Sequence, residues 1–335
     1  MKRLVCLLVL IAGPALAAHD RAPLTTGVDS IGLTVSDLDR SVEFYTQVLT
    51  FEKVSEYEAA GDAWEHRNGV FGQRTRTARL RLGGEFIELT EFLAPEGHPS
   101  PAGARSNDAW FQHVAIIVSD MDRAYARLRK FKVRHASSGP QLLPEWNKNA
   151  AGIQAFYFKD PDGHPLEILA FPPDKGAAKW HPTNSDKLFL GIDHTAIVIS
   201  STDASLRFYR DVLGLQMVGE SENYGPEQER LNNVFGARLH ITALRGATGP
   251  GVEFLEYLAP RDGRPYPLEE KANDLIHWQT RFSGTDAAAA AEALERSRVP
   301  FVSTGVVTLP AGEAGFRKSV IVRDPDGHAV EIAEQ

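Results

Sequence analysis

The chain has 335 residues, 43% hydrophobic and 24% charged, with a net charge of −8. That is room for two ordinary globular domains. The acidic balance, with no basic run, excludes a nucleic-acid binder, and the one cysteine, Cys6, excludes a disulfide framework.

The N-terminus reads as a targeting segment. Lys2 and Arg3 precede an apolar run over 4–12, Gly13-Pro14 ends it, and Ala15-Leu16-Ala17 is a small-x-small cleavage signal. Residues 1–18 are therefore expected to be a cleaved signal peptide, too short to span a bilayer. The mature chain is expected to be exported, periplasmic or extracellular, and free of the membrane. Cleavage would remove Lys2, Arg3 and Cys6, taking the charge from −8 to −10 and leaving no thiol nucleophile or thiolate ligand.

Residues 31–35 alternate as a strand. Leu38, Val42, Tyr45 and Leu49 then line one helix face, with Ser36 or Asp37 as N-cap. Strands follow near 77–82 and 85–92. The pattern restarts with a strand over 113–118, a helix over 120–131 that turns Met121, Ala124 and Leu128 inward, and strands near 154–158 and 165–171. A polar, proline-containing stretch places a linker at 172–189. The opening pattern then returns as a strand over 192–199 and a helix over 204–213, capped by Gly214. The last unit starts at Ile276 and carries an alanine-rich helix over 286–296.

This recurrence is a tandem duplication. Phe44-Tyr45 matches Phe208-Tyr209, and Asn68-Gly-Val-Phe-Gly72 matches Asn232-Asn-Val-Phe-Gly236, 164 residues on. Glu88 matches Glu253, and Gln112-His113 is matched to Ile276-His277. Each half closes on the same turn, Asp160-Pro-Asp-Gly-His164 and Asp324-Pro-Asp-Gly-His328. Proline and glycine set that turn, and the strand after it carries Glu167 or Glu331. His164 and His328 read as turn or rim residues. Glu91 and Glu256 read as facing away from Glu88 and Glu253, and His66, His98, His181 and His240 as surface residues. Trp146, Tyr224, Trp278 and Phe316 are candidate cavity aromatics.

The paired openings and Asp-Pro-Asp-Gly-His closings resemble the vicinal oxygen chelate superfamily, over roughly 28–171 and 190–334. That group includes glyoxalase I, methylmalonyl-CoA epimerase, type I extradiol dioxygenases and the bleomycin- and fosfomycin-resistance proteins. The resemblance implies an α+β fold of four βαβββ units forming two half-open barrel domains, 28–171 and 190–334. It also implies metal ligands from the first and last strands of each unit. Carried over residue by residue, the second half supplies His194, Glu253, His277 and Glu331. The first supplies Ser30, Glu88, His113 and Glu167, a degenerate set because a serine hydroxyl is a poor ligand. Two imidazoles and two carboxylates suit one divalent ion of Zn, Ni, Co, Mn or Fe. Such groups inside apolar runs need a shared partner.

The 24-residue step from Glu253 to His277 lets one unit swing beside the other, so the units are expected to pair within each half. Exchange would instead join Ser30 and Glu88 to His277 and Glu331, and His194 and Glu253 to His113 and Glu167. The expected activity is that of a glyoxalase- or epimerase-like lyase or isomerase. It would act on a small substrate with vicinal oxygens, through an enediolate-like intermediate, with Glu331 or Glu253 carrying the proton. An Fe(II) extradiol-type dioxygenase and a non-enzymatic small-molecule binder are the alternatives. Self-association is left open.

Overall fold

The computed structural model describes residues 23–183, 185–310, 312 and 314–334, so the expected signal peptide lies outside the described residues. No helix among them is long and apolar enough to cross a membrane.

Four units follow one another. The first comprises β1 (Thr25–Val35), α1 (Leu38–Gln47), β2 (Glu52–Ala60), α2 (Asp62–Asn68), β3 (Arg74–Leu82) and β4 (Glu85–Ala94). The second comprises β5 (Gln112–Val118), α3 (Met121–Lys130), two short strands β6 (Arg134–His135) and β7 (Gln141–Leu142), then β8 (Gln154–Lys159) and β9 (Pro165–Ala170). The third comprises β10 (Phe189–Ile199), α4 (Thr202–Tyr209), β11 (Gln216–Tyr224), α5 (Pro226–Asn232), β12 (Arg238–Arg245) and β13 (Gly251–Ala259). The fourth comprises β14 (Trp278–Gly284), α6 (Ala287–Arg296), β15 (Val307–Thr308), β16 (Lys318–Arg323) and β17 (Ala329–Glu334).

The strands form two curled mixed sheets. One runs β15-β16-β17-β14-β1-β4-β3-β2, the other β11-β12-β13-β10-β5-β9-β8-β6. Units one and four thus build an outer half-barrel, and units two and three an inner one. This overturns pairing within each half. β1 runs antiparallel to β14, and β10 antiparallel to β5.

The sequence halves still hold together, through their helices and turns. Asp160 Oδ1 accepts the backbone N–H groups of Asp162, Gly163 and His164 at 2.8–2.9 Å. Its other oxygen takes His164 Nδ1–H at 2.8 Å and the Tyr45 hydroxyl at 3.3 Å. Asp324 repeats this with His328 and Tyr209. Gly163 and Gly327 sit at φ 99 and 106, a left-handed conformation that favours glycine. The two motifs read separately in the sequence, Phe-Tyr and Asp-Pro-Asp-Gly-His, are therefore partners in one buried network.

The main helices start at side-chain caps, Asp37, Asp120, Ser201 and Asp286, each accepting a first-turn N–H. The expected helix 204–213 ends earlier, at Tyr209, and Gly214 follows a further turn at φ 90. One continuous core joins Ile31, Leu33 and Phe282 of the outer sheet to Ile116, Ile168 and Phe254 of the inner one, with Tyr45, Leu128, Tyr209 and Leu294 from the helices. Burying each such side chain stabilises by about 1.5–3 kcal/mol. Strand side chains alternate between faces, so the residues between these core positions line the concave side of each sheet.

Candidate metal centre

The concave face of the inner half-barrel brings four ionisable groups together. His113 lies on β5, Glu167 on β9, His194 on β10 and Glu253 on β13. Donor atoms of His113, Glu167 and His194 lie within 4.8 Å of one another, and all three residues are buried. His113 Nε2 is 3.1 Å from Glu167 Oε2, and His194 Nε2 is 3.8 Å from that oxygen and 3.6 Å from Glu253 Oε1. These separations do not make hydrogen bonds: both ring nitrogens of His113 and Nε2 of His194 have no hydrogen-bond partner. Buried imidazole nitrogens without partners are costly. Two imidazoles and two carboxylates converging in this way fit a divalent cation of the Zn, Ni, Co, Mn or Fe class.

The electrostatics agree. Burial disfavours charge on His194, but Glu253, Asp193 and Glu167 outweigh it and push its pKa up to about 9. Burial raises the Glu253 carboxyl above its usual range; His194 opposes this and Glu167 adds to it. Without a cation the cluster must therefore hold protons. The site opens on a cavity of about 410 Å³ walled by Tyr157, Asn223, Gln228, Ile153, Ile241 and linker Lys175.

The expected quartet is divided by this arrangement. His194 and Glu253 are in the inner centre, but Glu331 and His277 belong to the outer half-barrel. Glu331, fully buried, is clamped by Arg67, Nε to Oε1 at 2.8 Å and Nη2 to Oε2 at 2.7 Å. Burial would raise its pKa, but Arg67 and Arg281 hold it below the usual range. His277 precedes β14 and gives its Nδ1–H to Glu270 Oε1 at 2.7 Å. Strand pairing shows why it is no counterpart of His113. Ala196 faces His113 across the inner sheet, whereas the equivalent Gly32 faces Gln279. Gln279, two residues beyond His277, is the true equivalent, and its amide donates to Glu331 Oε2 at 2.7 Å. The helix caps Asp120 and Asp286 stand 166 residues apart, and that spacing in the sequence points to Gln279.

Ser30 and Glu88 complete the outer cluster. Glu88 is held by Arg79 at 2.7 Å and by Arg281. His164 and His328 are turn residues, as expected, though buried rather than at a rim. Of the candidate aromatics, Trp146 and Tyr224 stack on each other with ring centroids 4.3 Å apart and are about half exposed. Phe316 packs over Arg67 and Arg281 in the outer half-barrel. Tyr157, 4.8 Å from the His113 ring between centroids, is the aromatic at the centre itself.

The family profile described as Glyoxalase/Bleomycin resistance protein/Dioxygenase superfamily matches residues 27–168 and 191–332. A 2-epi-5-epi-valiolone epimerase from Actinomyces sp. is 33% identical over 154 residues, 45% of this chain and 82% of that protein. A metallothiol transferase FosB from Shouchella clausii is 23% identical over 166 residues, 49% of this chain and 94% of that protein. Among solved structures, glyoxalase I from Zea mays superposes with a TM-score of 0.56 at 15% identity, over 92% of each chain, a likeness of fold.

Proposed function

Because the chain belongs to the Glyoxalase/Bleomycin resistance protein/Dioxygenase superfamily, we propose that it is a metal-dependent isomerase or lyase acting on a small substrate with two vicinal oxygens. The observation that carries this reading is the convergence of His113, Glu167, His194 and Glu253, with unpartnered imidazole nitrogens, on an open cavity. A divalent cation held there would supply Lewis acidity to both substrate oxygens and stabilise the negative charge of an enediolate-like species. The chain's own part is proton movement. Glu253 is the more exposed of the two carboxylates, 22% against 5% for Glu167, and burial raises its pKa above the usual carboxylate range. It takes the proton from the carbon beside the oxygens and returns it to one face or to the neighbouring carbon. The epimerase name of one relative supports the same class of step.

A second reading is an Fe(II) extradiol-type dioxygenase. Tyr157 stands four residues before Pro161, where those enzymes carry a tyrosine, and it flanks His113. The fourth donor, Glu253, and the absence of histidine from 141–156 favour the first reading. Export rests on residues 1–18 alone; N-terminal sequencing of secreted protein beginning near residue 18 or 19 would support it.

The test is metal analysis of the purified protein, followed by a screen of methylglyoxal hemithioacetals, 2-substituted β-keto acids and catechols. Solvent deuterium incorporation at the substrate carbon is expected, and Glu253→Gln should reduce turnover by about 10²–10⁴-fold while metal stays bound. No uptake of Zn, Ni, Co, Mn or Fe would sink both readings. Oxygen consumption with catechols and Fe(II) would promote the second.

A further inference from the structure

The linker reaches the metal centre through one side chain. Trp180, 5% exposed, donates its indole N–H to Asp193 Oδ1 at 3.0 Å. Arg245 Nη2 donates to the same oxygen at 2.7 Å, and its Nη1 to the Asp193 carbonyl at 3.2 Å. The second carboxylate oxygen accepts His194 Nδ1–H at 3.0 Å.

Neighbouring residues of a regular strand point to opposite faces and do not meet in this way. Here β10 shifts register between Ile192 and His194. The bulge turns the Asp193 carboxylate toward its neighbour's ring. The indole is seated just as specifically. A Cβ on Gly191 would lie 2.8 Å from Trp180 Cζ3 and 2.9 Å from Cη2, so glycine at 191 leaves the space through which the ring crosses the strand. The outer half-barrel has the same bulge, between Val28 and Ser30. There Asp29 binds Arg79 and Arg281 instead, with serine beside it.

We propose that Asp193 is a positioning residue of the metal centre, and that the linker, through Trp180, is a working part of that centre. With Nδ1–H fixed on Asp193, the His194 ring has one orientation, and Nε2 is the nitrogen turned toward Glu167 and Glu253. A carboxylate in this place also makes the imidazole a better donor. Trp180 and Arg245 keep the carboxylate from turning away. The proposal rests on the reading of the cluster as a metal site.

Cobalt(II) titration of the full chain tests it, with the visible absorption bands as the second readout and a thermal melt as the fold control. Asp193→Asn, an isosteric change, is expected to weaken Co(II) binding about 10–100-fold and to alter the bands. Trp180→Phe keeps a ring in the notch and loses only the N–H donor, so about a fivefold loss is expected from one hydrogen bond. If Asp193→Asn does not fold, the Trp180→Phe titration decides between the two outcomes. Wild-type affinity and unaltered bands in folded variants would overturn the relay. A wild-type protein that takes up no Co(II) would overturn the metal reading itself, and the relay with it.

Discussion

The two half-barrels share one backbone plan and differ in a handful of side chains at their concave centres. Strand pairing and helix position set His194 against Ser30, His113 against Gln279, Glu253 against Glu88 and Glu167 against Glu331. Around these, the inner half-barrel has Leu231, Ala243 and Ala115 where the outer one has Arg67, Arg79 and Arg281. The carboxylates are kept on both sides; what neutralises them differs. In the outer half-barrel three guanidinium groups satisfy Asp29, Glu88 and Glu331 permanently. In the inner one Arg245 meets only Asp193, the counterpart of Asp29; among the described residues Glu167 and Glu253 face two imidazoles and no arginine, leaving donors free for an exchangeable cation. A half-barrel of this plan without a metal centre therefore differs by more than a missing ligand: its buried carboxylates need another cation.

The largest effect expected is on His194. Changing it to Ala should cost at least about 10²-fold in metal affinity, since loss of outer-shell partners alone costs 10–100-fold, and activity should follow. Dialysis with metal analysis reads this directly, and retention of metal would break the comparison at once. Next comes the outer cluster. Arg67→Leu copies the inner residue, Leu231, but leaves Glu331 buried without its clamp. It should destabilise the fold by about 3–5 kcal/mol, measured by urea denaturation, with no change in metal stoichiometry.

pH separates the two clusters as well. The raised pKa of His194 stabilises the metal-free protein below its ordinary value near 6.5, and that stability is lost as pH rises through about 9. Thermal melts of metal-free protein should fall over this window, by on the order of 3 kcal/mol. Metal competes with that proton, so apparent metal affinity should rise about tenfold per pH unit over the same range. A pH-independent affinity would remove His194 from the donor set. The smallest effect is also the most symmetric. Tyr45→Phe and Tyr209→Phe each remove one buried hydroxyl donor and should cost about 1 kcal/mol apiece. Unequal losses would show that the halves differ in fold as well as in chemistry.

Much of this was legible in the sequence. The 164-residue repeat, the four units and the Asp37 cap follow from local patterns, and the structure bears out the α+β half-barrel fold. Two things were not legible from local pattern. The linkers permit pairing within or between halves, and only the sheets reveal that β1 chose β14 and β5 chose β10. The other is a two-residue slip. Gln112-His113 resembles Ile276-His277 in type, but the extra residues sit between His277 and the helix at 287–296, so the strand position belongs to Gln279. The arginines that pair with the outer carboxylates come from α2, β3 and β14, and no local motif unites them. The linker read only as a connection, because the role of Trp180 depends on a bulge and on the space left at Gly191.

If the inner half-barrel, assembled from both sequence halves, holds the metal, then His113 and His277 must differ in their effect on binding. Calorimetric titration of metal into His113→Ala and His277→Ala measures that difference. His113→Ala is expected to lose high-affinity binding, while His277→Ala binds one ion per chain as wild type does. The reverse, binding kept by His113→Ala and lost by His277→Ala, would place the metal in the outer half-barrel instead.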